Sequence, residues 1–174
     1  MEERDGLTYQ MPLEVYLQDA IIRGVLVTNQ ERLSNHLILR DDDEVVSLRS
    51  ATLQAANRKA VPLGAEEYLI YLQSVFMIAD LSPNLRTDPS AFQSFYVRKD
   101  SSAVLLNVGP YMIQGRVHTV PGDPLHEFLI SRTRFIPVTG ATLIDRAETT
   151  PRTYLVNRTK IGFLTALKDE LREL

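Results

Sequence analysis

The stretches ERLSNHLILRDDDEVVSLRSATLQ (31–54) and DPLHEFLISRTRFIPVTGATLI (123–144) carry one pattern twice in a chain of 174 residues. Each contains a Leu-x-x-x-Leu-Ile frame, then an arginine and a short polar step, and then a β-like run closed by Ala-Thr-Leu. Self-similarity at a fixed period is the sequence signature of repeated structural units. The two stretches therefore predict tandem copies of one small unit.

Further blocks match in the same order and at a nearly constant separation along the chain. AIIRGVLVT (20–28) matches YMIQGRVHT (111–119), and YLIYLQSVFMIA (68–79) matches YLVNRTKIGFLT (154–165). We therefore predict a first β repeat over residues 11–81, a linker over 82–102, and a second β repeat over 103–174.

Each repeat opens with alternating apolar and polar residues on both sides of a turn, which predicts a β-hairpin. The turns fall at Gln18-Asp19 and at Gly109-Pro110. Gly24 and Gly115 lie inside the second strand of each hairpin, where glycine often marks a bulge or a close approach of two backbones.

After each hairpin, the Leu-x-x-x-Leu-Ile frame places three apolar residues on one helical face and predicts a helix of about two turns. A strand, a polar loop and a long apolar β segment follow. The tail TALKDELREL has leucines at helical spacing and predicts a C-terminal helix. The predicted fold is mainly β, with two tandem hairpin, short helix and strand–strand repeats. They would form a pseudo-symmetric sandwich or a pair of small barrels.

Composition narrows the classes of function. The chain has no cysteine, which excludes thiol catalysis and thiolate metal sites, and its net charge is -3, which argues against broad nucleic-acid binding. The acidic start lacks the apolar region of a signal peptide, and no apolar run is long enough to span a membrane. We expect a cytoplasmic protein without a membrane partner.

One segment, VHTVPGDPLHEF, has the residue types of a metal or general-base site. It contains His118, Asp123, His126 and Glu127, and imidazoles with carboxylates are suited to both roles. However, His118 is predicted on a strand and His126 on a helix, so their side chains need not converge. No nucleophile motif, phosphate-binding loop or dinucleotide fingerprint is present. We therefore predict no catalytic residue, no resident metal and no cofactor.

Basic residues of the second repeat are the candidate binding residues. Arg132, Arg134, Arg158 and Lys160 could form a modest basic face. If they cluster on one surface, a nucleic-acid partner becomes a reasonable interpretation.

Two resemblances bear on the fold. EVYLQDAIIRGVLVTNQERLSNHLIL resembles the first motif of Sm-like RNA-binding proteins, in which a hairpin carries a glycine in its second strand and an asparagine before the third. The second Sm motif, an Ile-Arg-Gly-like turn before the last strand, is absent, so no RNA-contact residue is carried over.

The second resemblance covers more of the chain. GRVHTVPGDPLHEFLISRTRFIPVTGATLI followed by RTYLVNRTKIGFL looks like an uncharacterised bacterial family of small β-rich domains, here in tandem duplication. Phe135, Pro137, Thr139, Val156 and Asn157 carry this resemblance, which implies a small β-rich domain and a bacterial source, but no activity.

Three hypotheses of function follow from these patterns. The first is a non-enzymatic interaction or regulatory module that binds a protein, itself or another, through sheet edges or the surface between the repeats. The second is a Sm-like small-barrel nucleic-acid binder. The third is a metal-assisted enzyme at the histidine cluster.

Overall fold

A computed structural model describes residues 8–39, 44–55, 59–82, 99–130, 133–144, 146 and 150–168. The first half contains strands β1 (Tyr9–Tyr16), β2 (Ala20–Thr28), β3 (Val45–Ala55), β4 (Val61–Pro62), β5 (Glu67–Tyr71) and β6 (Met77–Asp80). The second half contains β7 (Asp100–Val108), β8 (Tyr111–Thr119), β9 (Phe135–Leu143), β10 (Arg152–Asn157) and β11 (Ile161–Ala166). Helical segments are α1 (Leu33–Leu39) and 3-10 helices at Leu72–Ser74, Leu125–Ile130 and Arg158–Lys160. The mainly β fold predicted from the sequence is confirmed.

Hydrogen bonding joins all the strands into one antiparallel sheet. Its order is β11-β7-β8-β9-β10-β6-β1-β2-β3-β4, and β5 also pairs with β3. The predicted hairpins are β1–β2 and β7–β8. The two halves meet where β6 pairs with β10. No helix of the described residues is both long enough and apolar enough to cross a membrane.

Both second strands bulge at their internal glycine. The β2–β3 ladder shifts register between Arg23 and Val25, and the β8–β9 ladder shifts between Gln114 and Arg116. A Cβ atom on Gly115 would lie 2.7 Å from the Cβ of Ala141, so only glycine fits without a shift of the neighbouring strand. The predicted role of the glycines as sites of close backbone approach agrees with this geometry.

Two buried clusters lie on opposite faces of the joined strands. Alternation along a strand sends successive side chains to opposite faces. On β6, Met77 belongs to the cluster of the second half and Ile78 to that of the first. On β10, Leu155 packs in the first cluster and Val156 in the second. Each half therefore completes its core with side chains from the other.

The structure corrects the prediction of one long closing β segment in each repeat. In both halves a 3-10 helix breaks that segment into two strands with different neighbours: β5 pairs with β3 but β6 pairs with β1 and β10. The segment 154–166 is divided in the same way, because β10 pairs with β9 while β11 pairs with β7. A uniformly apolar run does not reveal such a break, because the change of partner is a tertiary event.

The short helix predicted after each hairpin is present, as α1 after the first and as a 3-10 helix after the second. Strand β7 begins at Asp100, within the segment predicted as the linker. The predicted C-terminal helix lies mostly outside the described residues. Its first two residues, Thr165 and Ala166, belong to β11, and the amide of Leu167 donates to the carbonyl of Ala103 at 2.8 Å.

Candidate functional site

The junction between β6 and β10 is the most tightly built contact between the halves. Three residue pairs face one another across it, namely Tyr154 with Ala79, Leu155 with Ile78, and Val156 with Met77. All of these side chains are buried. The two strands are joined by backbone hydrogen bonds, and each also places apolar side chains in the core of the other half. Paired side chains of this kind stabilise neighbouring strands.

Asn157 fastens the end of this junction. It is fully buried, and its side-chain amide donates to the carbonyl of Val75 at 2.8 Å. Its Oδ1 accepts from the backbone amide of Thr159 at 3.1 Å and from the Thr159 hydroxyl at 2.8 Å. Asn157 thus caps the 3-10 helix of the second half while holding the backbone of the first. Sequence reasoning named this residue only through a family resemblance.

A buried carboxylate ties the same halves together on the other side of β1. Glu14 is almost fully buried, and its carboxylate lies 2.5 Å from the Arg23 guanidinium and 3.3 Å from that of Arg152. The Tyr16 hydroxyl donates to Glu14 at 2.6 Å. Because Arg23 is on β2 and Arg152 on β10, the carboxylate bridges both halves. Burying a charge is tolerated only when it is paired in this way. Sequence reasoning missed this network, because Arg152 lies 138 residues from Glu14 in the chain.

Aromatic rings fill the remaining space between the halves. The ring centroid of Tyr16 lies 5.4 Å from that of Tyr111 and 5.8 Å from that of Tyr154, both at edge-to-face angles. The Tyr111 hydroxyl donates to the Leu17 carbonyl at 2.5 Å. Burial raises the pKa of both Tyr16 and Tyr111 above 10.0, because the ionised phenolate would lose its hydration. These phenols therefore remain neutral hydrogen-bond donors throughout the physiological range.

A polar groove of about 470 Å³ opens beside the junction. Its walls are Gln73, Ser74, Arg134, Asn157, Thr159 and Lys160. The Lys160 ammonium lies 5.5 Å from the centroid of the Phe76 ring, a cation–π distance that holds it at the groove. The first half supplies Gln73 and Ser74, and the second half supplies the two cations together with Asn157 and Thr159.

The four predicted binding residues have different placements. Arg134 and Lys160 line the polar groove, but Arg158 is committed elsewhere: its guanidinium donates to the carbonyls of Thr133 and Leu129, both at 3.3 Å. Arg132 lies outside the described residues. The structure thus brings two of the predicted cations to one groove and gives the third a structural task.

The predicted metal candidates do not form a cluster. His118 on β8 is hydrogen-bonded to the Thr139 hydroxyl at 2.8 Å. On the 3-10 helix Leu125–Ile130, Nε2 of His126 lies 3.7 Å from Oε1 of Glu127, and both side chains are exposed. The backbone amide of Asp123 donates to the carbonyl of Val120 and closes a turn. No group of three or more metal-ligating side chains occurs in the described part of the chain. The described residues therefore offer no geometry that supports the metal-assisted hypothesis.

Two sheet edges are the other candidate binding surfaces. Over the described residues, β5 pairs only with β3 and β11 pairs only with β7. Large apolar side chains stand exposed along both: Leu69 and Tyr71 on β5, and Phe163 on β11. Solvent-facing side chains of this size, in line along an edge, are typical of surfaces that bind another strand.

Searches against protein-family models, curated proteins and solved structures find no match to this chain.

Proposed function

We propose that this protein is a non-enzymatic interaction module that binds a protein partner through the open edges of its sheet, β5 and β11. The observation that carries the proposal is the exposure of large apolar side chains on these edges, above all Leu69 and Phe163. An unpaired edge offers backbone donors and acceptors, and apolar side chains beside it add the burial that makes strand addition favourable.

The proposal includes a two-unit organisation of the chain. The first unit consists of β1, β2, β3, β5 and β6, and the second of β7 to β11. In strand order, each unit reads fifth, first, second, third and fourth. The two-residue strand β4 is extra to the first unit.

Matching pairings support this equivalence. Leu13 faces Gly24 in the first unit, as Val104 faces Gly115 in the second. A third matched position is the left-handed residue of the third strand, which is Ser50 (φ 51°) in the first unit and Gly140 (φ 53°) in the second. Backbone geometry is thus alike where the side chains differ.

The 3-10 helices are also matched. The amide of Leu72 donates to the carbonyl of Glu44 at 2.8 Å, and the amide of Arg158 donates to that of Arg134 at 2.8 Å. Each helix therefore turns the chain from a fourth strand into a fifth strand at the same place. As a result, each unit has its fourth strand at one edge and its fifth strand at the opposite edge.

The test is affinity capture with edge variants. Leu69→Lys and Phe163→Lys place a charge on each edge, a device by which natural proteins block edge pairing. Val120→Lys is the matched control, because Val120 is a similarly exposed apolar residue that lies in a loop and on neither edge strand. We expect nuclease-treated extract of the source organism to yield one discrete protein with the wild type and the control, and its loss with the double variant that carries both charges, because each single variant keeps one edge. Capture that persists in the double variant contradicts the proposal.

A second candidate function is the binding of single-stranded nucleic acid at the polar groove. The observation in its favour is that Arg134 and Lys160 line the same groove as Gln73 and Ser74, which add hydrogen-bonding groups. Cations that track a phosphate backbone give salt-dependent affinity.

Fluorescence anisotropy with a labelled single-stranded RNA distinguishes this candidate. For binding at the groove, Arg134→Ala and Lys160→Ala each lower the slope of log affinity against log salt by about 0.7 per lost phosphate contact. Lys168→Ala, which removes an exposed cation outside the groove, is the control. Salt-insensitive binding, or equal effects of all three variants, rules out the groove as the site.

A further inference from the structure

We infer that the partner of the two open edges is a second copy of this chain, bound head to tail, with β5 of one copy paired to β11 of the next. The inference rests on the proposed function and names its partner. Within one chain, β6 and β10 join the fifth strand of the first unit to the fourth strand of the second. The fourth strand of the first unit and the fifth strand of the second are β5 and β11, which have a neighbour on one side only among the residues that the structure describes.

The internal junction predicts a register for the contact between copies. The match of YLIYLQSVFMIA (68–79) with YLVNRTKIGFLT (154–165) makes β5 equivalent to β10 and β11 equivalent to β6. The internal pairs 154–79, 155–78 and 156–77 then become Tyr68 with Thr165, Leu69 with Leu164, and Ile70 with Phe163. In each pair the second residue belongs to the neighbouring copy.

Burial differs at equivalent positions in the way that a missing partner would cause. Leu155 is only 4% exposed, because it enters the core of the first unit beside Ile78. Its equivalent, Leu69, is 66% exposed. In the inferred assembly, Leu69 enters the core of the neighbour's second unit beside Leu164, which is only partly buried in the single chain. Leu69 would thus pack across the contact between copies as Leu155 packs across the internal junction.

The reciprocal side chain behaves in the same way. Met77 is 0% exposed, because it enters the core of the second unit next to Val156. Its equivalent, Phe163, is 46% exposed. In the assembly, Phe163 reaches the first-unit core of the neighbour beside Ile70. The two edges therefore carry exposed equivalents of the two side chains, Leu155 and Met77, that pack across the internal junction.

A third element fits the same arrangement. Across the internal junction, α1 of the first unit contacts β9 of the second. The equivalent contact between copies brings the 3-10 helix Leu125–Ile130 onto β3 of the neighbour. Ile130 on that helix is 62% exposed, and an open groove of about 480 Å³ lies along β3, bordered by Val45 and Leu69. In the inferred assembly, the 3-10 helix of one copy therefore faces the groove beside β3 and β5 of the next copy.

Such a contact is heterologous, because it uses two different surfaces of one chain. It leaves one open edge at each end of any linear assembly, and it produces a closed ring or a filament depending on the rotation per copy. This property separates it from a symmetric dimer, which uses one surface twice and stops at two copies.

The decisive experiment measures mass by light scattering after size exclusion. We expect wild type and the control Val120→Lys to exceed the 19.7 kDa of one chain by an integral factor or to grow with concentration. Leu69→Lys and Phe163→Lys should each run as single chains. Mixed in equal amounts, they should form a 1:1 dimer, since each variant retains the edge that the other lacks. Circular dichroism checks that each variant is folded.

Several results overturn the inference. A wild type of single-chain mass at all concentrations excludes self-assembly. A dimer of Leu69→Lys alone indicates that β11 pairs with itself, and a dimer of Phe163→Lys alone indicates the same of β5. A mixture that remains at single-chain mass also contradicts the head-to-tail contact.

The register has its own test, which the absence of native cysteine makes clean. Facing residues of antiparallel strands have Cα atoms about 4.5–5.5 Å apart, within the range of a disulfide. Oxidation of Leu69→Cys mixed with Leu164→Cys should give a covalent dimer in high yield. Leu69→Cys mixed with Thr165→Cys is the control, because a shift of one residue points the thiol to the other face. Equal yields in the two mixtures exclude the inferred register.

The outcomes for this inference and for the proposed function are separable. A wild type that stays a single chain, yet loses a different captured protein on Leu69→Lys substitution, overturns the second-copy partner and leaves the interaction module intact. Edge variants that change neither mass nor capture overturn both. A wild-type assembly that dissociates on edge substitution, with the 1:1 complementation, supports both.

Discussion

The β6–β10 junction and the open edges β5 and β11 are built from matching sequence but have opposite environments. Tyr68-Leu69-Ile70 on β5 matches Tyr154-Leu155-Val156 on β10, yet the middle leucine is exposed in one and buried in the other. Local sequence therefore does not decide burial at these positions. The presence of a neighbouring strand does.

The position at which each apolar segment is broken into two strands decides which of these strands is covered. In each half a 3-10 helix divides one apolar segment into two strands that lie at opposite edges of that half. One of them, β6 or β10, is covered by a strand of the other half, and the other, β5 or β11, has one partner among the described residues. Four pairs of variants test how far this contrast extends.

The largest effect is expected at the two leucines. Leu155→Ala should lower the free energy of unfolding by about 2–5 kcal/mol, because it leaves a cavity in a closely packed junction. Leu69→Ala should change it by less than about 0.5 kcal/mol in a single chain, where the side chain contacts mostly solvent. Urea unfolding followed by circular dichroism, in a Phe163→Lys background that prevents assembly, gives both values. Equal costs would mean that the two positions are not in different environments.

The second effect concerns the charge that joins the halves. Glu14→Ala should cost about 2–3 kcal/mol, since the buried Tyr16 hydroxyl loses its acceptor and the arginines lose a charged partner. The arginines remain partly hydrated, which keeps the cost below that of a fully buried pair. Glu67→Ala, which removes an exposed carboxylate, is the control and should stay within about 0.5 kcal/mol. Thermal unfolding of both variants measures the difference, and similar shifts would exclude a junction role for Glu14.

The third effect compares the two bulge glycines. Gly115→Ala would bring a Cβ atom to 2.7 Å from Ala141 and from Val138, so a strand must move, at a cost of about 1–3 kcal/mol. Gly24→Ala meets its nearest atom at 3.0 Å and should cost less. The free energies of unfolding of the two variants rank them. A larger loss of unfolding free energy for Gly24→Ala would show that the neighbouring strand yields less readily at Gly24 than at Gly115.

The smallest effect has the opposite sign. Ser50 holds a left-handed backbone that glycine occupies at the equivalent position, Gly140. Ser50→Gly should therefore stabilise the protein by about 1 kcal/mol, and Gly140→Ser should destabilise it by a similar amount. The midpoint of urea unfolding reports both changes. A loss of stability in Ser50→Gly would indicate that the serine side chain compensates for its strained backbone.

Sequence reasoning succeeded where local pattern and backbone geometry coincide. The alternation around Gln18-Asp19 and Gly109-Pro110 predicted both hairpins, and the leucine frame predicted a helical segment after each. Gly24 and Gly115 were identified as special because glycine inside a strand is costly without a reason. The hairpins and helical segments depend on contacts between residues close in the chain, and the two glycines are conspicuous from their position inside a predicted strand.

The candidate sites could be predicted only in part. Arg134 and Lys160 were selected by charge alone, and Arg158 was selected on the same grounds although it holds backbone carbonyls. The interruption Asn157-Arg158-Thr159-Lys160 was a usable signal for the strand break, because Asn caps helical turns and four polar residues rarely continue a buried strand. Its significance was missed, because the flanking apolar runs favoured one long strand.

What the sequence alone determined is the mainly β character, the hairpins with their glycine bulges, and the internal match that predicts a repeated unit. These follow from side-chain periodicity and from backbone preferences, which act over a few residues. Only the tertiary structure decided that β6 pairs with β10, that Glu14 meets Arg23 and Arg152, and that Leu155 is buried while Leu69 is not. Those outcomes depend on which strands become neighbours, and strands with nearly the same sequence can be covered or left open by that choice.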